Sequence, residues 1–454
     1  MAPEGLTGLE MDARLEHDVA PTLRADDVLD RRDHLGGPRR EPANVLGREE
    51  ADVERQPSLR WKRSSSSGAI LSETRPDAER IEAANIPGGA VRLCRRMADW
   101  LRSLLVPAAR RLPSNAEYLA HLDAAAADRT LIRLASNEST EPPSPRVREA
   151  LDRAYLDANL SPPTVPPLRH ALAERYGVGV DRVLVGAGST ELIDATLRTF
   201  VRAGDEVVLP RPSWPVFRRR LEALEARVID VPLVSDERTY AYDVDALLAA
   251  ITKRTKLLVV CTPNNPTGNS LTLDDVRRCT AAGPLLLLDA AYADFDEDVD
   301  VTSVIHESDR VVLTRTFSKA YCLAGLRVGY ALADSTVLDY VDRFLVPGSS
   351  VSSAALHAAL AALEDEDHHR RQVERIRSER ARLTAELRDR GIRAYDSKGN
   401  FVAIQAPDGA RALAAAILAH GVVVRVMDER LVRITVGRRE ENDALLAAFE
   451  LERA

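Results

Sequence analysis

The chain has 454 residues, 45% of them hydrophobic and 29% charged, enough for a large folded domain and a smaller one. Its net charge of −8 supplies no positive field for nucleic acid or an anionic membrane, so neither is expected as a partner. The four cysteines (Cys94, Cys261, Cys279, Cys322) lack the paired spacing of a zinc or disulfide framework. No apolar run reaches the ~18 residues of a membrane helix, and the first residues carry no secretory pattern. A cytoplasmic protein with reduced thiols and no metal is expected.

Residues 1–110 read as an extension. No Phe or Tyr precedes Tyr118, and Asp, Glu, Arg, Pro and Ser dominate, including the tract Ser64-Ser65-Ser66-Ser67. Such a stretch buries too little apolar area to offset its ordering entropy, so disorder is expected over 1 to about 85. Val91, Met97, Trp100, Leu101, Leu104 and Leu105 among arginines predict a basic amphipathic helix at 91–105. It would dock on the following domain or hang as a loose arm, with a membrane-surface anchor as the alternative.

A large domain is expected at 111–345, with 111–135 as its N-terminal arm. Apolar runs recur at Val183–Val185, Val207–Leu209, Val228–Val231, Leu257–Val260, Leu285–Leu288, Val311–Leu313 and Val328–Leu332, separated by helical stretches. Near-continuous apolar strands predict an α/β fold, a mostly parallel sheet with helices on both faces. Ligand groups in such sheets gather at the carboxyl ends of strands, and the polar clusters follow these runs. Beyond Pro347 a long helix is predicted from Ser352 to Arg390. Its charged run Glu364–Arg371 reads as a solvated face rather than a metal site. Two further apolar runs, Phe401–Ile404 and Leu431–Val436, complete a small α+β domain within 346–454.

The clusters carry the chemistry. Gly186-Ala187-Gly188-Ser189-Thr190-Glu191 joins a strand to a helix, where free N–H groups favour an anion; a plain turn is the competing reading. Pro212-Ser213-Trp214 offers an aromatic plane for a cofactor ring, or a simple core residue. In Thr262-Pro263-Asn264-Asn265-Pro266-Thr267-Gly268 two prolines and a glycine fix a loop from which Asn265 can donate to a phenolate oxygen. Asp289 ends a strand three residues before Tyr292. Its carboxylate can keep a pyridine nitrogen protonated, unless it is a buried structural acid. Thr314-Arg315-Thr316-Phe317-Ser318-Lys319-Ala320-Tyr321, with Arg327 downstream, sets a lysine able to condense with a carbonyl among groups able to hold a phosphate. Pyridoxal phosphate carries both an aldehyde and a phosphate.

With Ala135-Ser136-Asn137-Glu138 and Leu431-Val432-Arg433-Ile434-Thr435-Val436-Gly437, these clusters run in order from about Leu131 to Phe449. In that order the chain resembles the fold-type I pyridoxal-phosphate enzymes, and most closely the histidinol-phosphate aminotransferase-like branch. The resemblance implies pyridoxal 5′-phosphate as cofactor, linked to Lys319, with Asp289 on its ring nitrogen. It also implies Asn265 and Tyr292 on the ring hydroxyl and Trp214 stacked on the ring. Gly188, Ser189, Thr190, Thr316, Ser318 and Arg327 would surround the phosphate, with Lys319, Asp289 and Tyr292 as the catalytic set. Arg433 would grip the substrate carboxylate, Asn137 and Asn400 would stand near the substrate, and Arg425 would face a distal group.

A homodimer using a small-molecule amino donor and keto acceptor, with ping-pong kinetics, is implied too. Relatives carry tyrosines after the Asn-Glu pair and in a segment reaching the neighbouring subunit. Here these stretches read Ser139-Thr140-Glu141-Pro142 and Asn159-Leu160-Ser161-Pro162-Pro163. Glu141 adds negative charge beside the expected substrate position, which points away from histidinol phosphate itself. A decarboxylase or lyase of the same fold is the main alternative. A cofactor-sensing transcription regulator is remote, because residues 1–110 lack three well-formed amphipathic helices.

Overall fold

The computed structural model describes residues 100, 103–112, 128, 130–163, 166–347 and 350–451. The expected disorder of 1–85 lies outside these residues, as does most of the expected 91–105 helix.

All seven apolar runs are strands of one sheet. In chain order they are Val183–Gly186 (β1), Glu206–Arg211 (β2), Arg227–Pro232 (β3), Thr255–Cys261 (β4), Leu285–Asp289 (β5), Val311–Thr316 (β6) and Gly329–Leu332 (β7). Their spatial order is β1-β7-β6-β5-β4-β2-β3, parallel except for β7, which runs against both its neighbours. Successive side chains of a strand alternate faces, and both faces here are core. Leu257, Val259 and Cys261 of β4 join one apolar cluster, while Leu258 and Val260 join the other. That two-sided burial explains why the strands inside the sheet read as unbroken apolar runs, whereas the partly exposed edge strand β3 is interrupted by Asp230.

The chain beyond Pro347 departs from the single long helix. Helices Ser353–Glu364 and Glu366–Asp389 are separated at Asp365, whose backbone (φ −94°, ψ 68°) leaves the helical region. Its carboxylate accepts from the His368 N–H at 3.2 Å and so caps the second helix. The charged run is also not wholly a solvated face. Asp367 and Arg370 are exposed, but the His369 ring stacks on Tyr321 with 4.4 Å between centroids. Its Nε2 lies 3.2 Å from Asp294 Oδ1, which also holds Arg315 at 2.7 Å. Among the described residues no group of three or more His, Cys, Asp or Glu is placed to hold a metal ion.

Strands Phe401–Gln405 (β8), Arg425–Val426 (β9) and Leu431–Thr435 (β10) form a second, antiparallel sheet in the order β8-β10-β9. Ile132–Arg133 pairs with Val422–Val423, which brings the Asn137 segment against this sheet. The apolar cluster on one face of the large sheet continues into Phe401, Val402, Val432 and Ile434.

Candidate active site

The carboxyl ends of β4, β5 and β6 open into a cavity of about 540 Å³. Every site residue expected from the sequence lines it except Gly188, Asn137 and Asn400, and these three stand immediately behind the lining.

At one end are the anion-binding groups. Helix Ser189–Phe200 begins here, and Gly188 precedes it with φ 80°, a conformation that suits glycine. The spacing is tight: a Cβ on Gly188 would fall 2.7 Å from Arg327 Nη2, and one on Gly329 would fall 2.3 Å from the Ser189 nitrogen. Ser318 N donates to Thr316 Oγ1 at 3.1 Å, and the two hydroxyl oxygens are 2.9 Å apart. Arg327, itself left-handed at φ 55°, reaches Ser318 Oγ at 3.5 Å. Hydroxyls, a guanidinium and a helix N-terminus converge as a phosphate requires.

The middle of the cavity suits a ring with a hydroxyl and a basic nitrogen. The phenol oxygen of Tyr292 accepts from Asn265 Nδ2 at 3.2 Å and from Asn137 Nδ2 at 3.1 Å. Burial pushes the Tyr292 phenol well up, so it stays protonated. Asp289 ends β5 almost fully buried. Burial raises its carboxyl to about 6, although hydrogen bonds from Thr314, the Ala291 N–H and Cys261 pull the other way. Trp214 forms part of the wall, braced edge-on by Phe217 at 5.3 Å.

Lys319 sits between these two regions. Its Nζ donates to the Ser136 carbonyl at 3.2 Å and lies 5.7 Å from the Tyr292 ring centre. Burial, with Arg433 and Arg327 adding to it against Glu138 and Asp289, lowers its pKa to about 7. A buried amine close to neutrality can hold or release a proton under ordinary conditions.

On the side of the second sheet, Arg433 Nη1 donates to Asn265 Oδ1 at 2.7 Å and Nη2 to the Ala135 carbonyl at 2.6 Å. Arg425 is its direct cross-strand partner, so both guanidiniums leave the same face. Asn400 supports this wall from behind: its Nδ2 donates to the Asn137 carbonyl at 3.1 Å. Asn137 N donates to Thr435 Oγ1 at 2.8 Å. Glu141 does not line the cavity. In this segment the acid that acts on Lys319, alongside Asp289, is Glu138, itself 3.3 Å from Arg133.

Sequence reasoning missed Ser136, Pro215, Val216 and Met427 in the lining, and Cys261 and Thr314 beside Asp289. The signal for Cys261 and Thr314 existed, since each closes or nearly closes an apolar run flanking the Asp289 strand.

The chain's likenesses to known proteins agree with this geometry. The family profile "Aminotransferase class I and II" matches residues 129–449. The histidinol-phosphate aminotransferase 2 of Caulobacter vibrioides is 41% identical over 325 residues, 70% of this chain and 85% of that protein. The aromatic amino acid aminotransferase of Cutibacterium acnes is 36% identical, covering 70% of this chain and 91% of its own. The crystal structure of histidinol-phosphate aminotransferase from Sinorhizobium meliloti, in complex with pyridoxal-5′-phosphate, superposes with a TM-score of 0.67. It is 29% identical and covers 76% of this chain and 96% of that one.

The chain therefore belongs to the class I and II aminotransferases. It is a transaminase with the fold-type I architecture, using pyridoxal phosphate with small-molecule amino and keto substrates. The donor set fits that cofactor: a phosphate cradle at one end, a buried carboxylate and a phenol–amide pair in the middle, and an amine between them.

Proposed function

We propose that this transaminase takes an amino acid or related amine with a ring-bearing, largely apolar side chain and passes its amino group to a keto acid. The observation that carries the reading is the convergence of Lys319, Asp289 and the Asn265–Tyr292 pair in one cavity, closed by Arg433 and walled by Trp214, Val216 and Met427.

When bound, pyridoxal phosphate supplies an aldehyde for the substrate amine and a ring that withdraws the electron pair released at the substrate Cα. Ser189, Thr190, Thr316, Ser318 and Arg327 would hold its phosphate, Gly188 leaves room for Arg327, and Trp214 would supply an aromatic wall for its ring. Asn265 and Tyr292 fix the ring hydroxyl, and Asp289 keeps the ring nitrogen protonated. Lys319 is the amine that would hold the cofactor aldehyde. In its neutral form it would take the proton from the substrate Cα and return a proton at the aldehyde carbon. Arg433 binds the substrate α-carboxylate in a two-point contact, with Asn137 and Asn400 keeping that wall in place. A second substrate reverses these proton movements, which gives ping-pong kinetics.

Arg425 favours a second reading, a donor with a distal anionic group such as histidinol phosphate. The missing tyrosines at 139–142 and 159–163 weigh against it. Transamination is preferred to decarboxylation because the relatives described above carry transaminase names. We further read the chain as a large domain (111–345) and a small one (346–454), in a cytoplasmic homodimer. The exposed Tyr155, Leu156 and Leu160 would then lie at the subunit contact. Three free cysteines among the described residues, and the lack there of any helix long and apolar enough to cross a membrane, are compatible with a cytoplasmic setting.

The test is a donor screen on purified protein with 2-oxoglutarate as acceptor, comparing phenylalanine, tyrosine and histidinol phosphate, with light scattering for the dimer. Turnover of the aromatic donors, and loss in Lys319→Ala of the absorbance near ~420 nm expected of the lysine-linked cofactor, are the predicted results. Absence of cofactor binding, or release of carbon dioxide with no keto product, would overturn the reading.

A further inference from the structure

The proposed role of Asp289 requires an anion at a position where burial favours the neutral acid. The ends of β4, β5 and β6 contain a feature that meets this requirement. In the parallel register Cys261 stands directly opposite Asp289 on one side, and Thr314 stands directly opposite it on the other. In-register residues of adjacent strands project to the same face, so the three side chains form a row across the centre of the sheet. All three are buried: Cys261 is 1% exposed, Asp289 3% and Thr314 0%.

Each carboxylate oxygen meets a different donor. Thr314 Oγ1 donates to Asp289 Oδ1 at 3.1 Å, and Cys261 Sγ stands 3.8 Å from Oδ2. We propose that Thr314 and, more weakly, Cys261 are positioning residues that keep the Asp289 carboxylate ionised and aimed into the cavity. The inference rests on the reading that Asp289 partners the cofactor ring nitrogen.

The two donors differ in strength. A hydroxyl at ordinary hydrogen-bond distance is a good donor to a carboxylate, whereas a thiol is a poor one. Cys261 also has a competing acceptor, the Pro263 carbonyl 3.2 Å away. Its own backbone carbonyl is held by the Tyr242 hydroxyl, which steadies the strand end. The other groups acting on this carboxylate are the Ala291 N–H and the Lys319 amine, both favouring the anion. Tyr292 and Tyr242 are buried phenols held neutral, so neither adds charge near pH 7. Removing the Thr314 hydroxyl leaves Oδ1 without its side-chain donor in a dry environment, which favours protonation of Asp289. A neutral Asp289 no longer holds the ring nitrogen cationic. Proton removal at the substrate Cα then slows, and the cofactor is held less tightly.

The experiment uses the full-length holoenzyme as wild type, Thr314→Val, Thr314→Ser, Cys261→Ala and Asp289→Asn. Thermal melting confirms that each variant folds. Two quantities are read from pH 5 to 9: the dissociation constant for pyridoxal phosphate, by reconstitution, and kcat separately from KM for the best donor.

In Thr314→Val the pH at which cofactor affinity falls on acidification should rise by about one unit, with kcat at pH 7 down about tenfold and donor KM unchanged. Thr314→Ser should restore both quantities, and Cys261→Ala should show a smaller shift of the same sign. An unmoved pH midpoint in Thr314→Val, whatever its melting temperature, overturns the proposal, as does failure of serine to rescue it. Asp289→Asn separates the two readings. If it binds cofactor with the wild-type pH profile, the role given to Asp289 is wrong, whatever Thr314 does.

Discussion

An amine in the position of Lys319 costs the fold stability while no cofactor engages it. Its folded pKa of about 7 lies below the ordinary lysine value of 10.5, so between these limits the unfolded chain holds a proton that the folded chain lacks. Stability of the cofactor-free protein should therefore rise as pH climbs from about 7 to about 10.5. Lys319→Met should remove that slope and stabilise the cofactor-free protein at pH 7 by on the order of 2 kcal/mol. Solvent reaching the cavity screens the amine and keeps this cost below that of a dry site. Urea unfolding of both proteins at pH 7 and pH 10 reads the difference, and a variant no more stable than wild type at pH 7 contradicts it.

At Arg433 the expectation concerns recognition. Lysine keeps the charge but loses the fork that spans Asn265 and the Ala135 carbonyl. Arg433→Lys should raise donor KM at least tenfold while cofactor affinity changes little. Steady-state kinetics beside a cofactor titration would show this, and equal losses in both would place Arg433 in cofactor binding instead.

Elements of the site were legible in the sequence where their chemistry is local. Lys319, Ser318 and Thr316 occupy one short segment, and Asn265 lies in a loop whose prolines announce it. Thr314 and Cys261 were marked only by their places at the ends of apolar runs, because their role depends on strand register, which a single strand does not reveal. The helix break at Asp365 was hidden for a different reason. Both flanks have helical composition, and the cap becomes visible only when the Asp365 carboxylate is seen to accept from His368 N. The inward turn of His369 depends in the same way on Asp294 and Tyr321, distant in sequence. At this scale β7 and helix Ser189–Phe200 meet at Gly329, where a Cβ would come within 2.3 Å of Ser189 N and 2.9 Å of the Arg315 carbonyl. Backbone on both sides leaves nothing flexible to yield. Gly329→Ala should therefore displace the helix start from the lysine strand and weaken cofactor binding about tenfold or more, with the far-UV circular dichroism preserved. Unaltered affinity would mean that the cradle tolerates the displacement.

For the molecule as a whole, the seven-stranded sheet was readable because burial on both faces leaves unbroken apolar runs. The way the second sheet completes the cavity was not, since Arg433 reaches Asn265 and Asn137 meets Thr435 only through contacts distant in sequence. Arg380 shows how that wall is fixed. From helix Glu366–Asp389 it donates to the carbonyls of Phe295 at 3.1 Å and Gly399 at 3.0 Å, and grips both oxygens of Glu297. One guanidinium thus ties the segment after Tyr292 to the turn that presents Asn400. Burial alone would raise Glu297, but Lys398 and Arg380 outweigh it and hold its carboxyl down at about 2. A carboxylate lowered in the folded state stabilises at pH above its unfolded value, and that contribution is lost as pH falls through the folded one. The pair should therefore support the fold at pH 7 and fade between about pH 4.5 and 2. Arg380→Ala should cost about 3 kcal/mol at pH 7, mostly from two carbonyls and a carboxylate stripped of their donor. The difference from wild type should narrow toward pH 2. Denaturant unfolding across that range tests both statements, and a gap that stays constant with pH would assign the cost to the two carbonyls and the packing of the arginine stem rather than to Glu297.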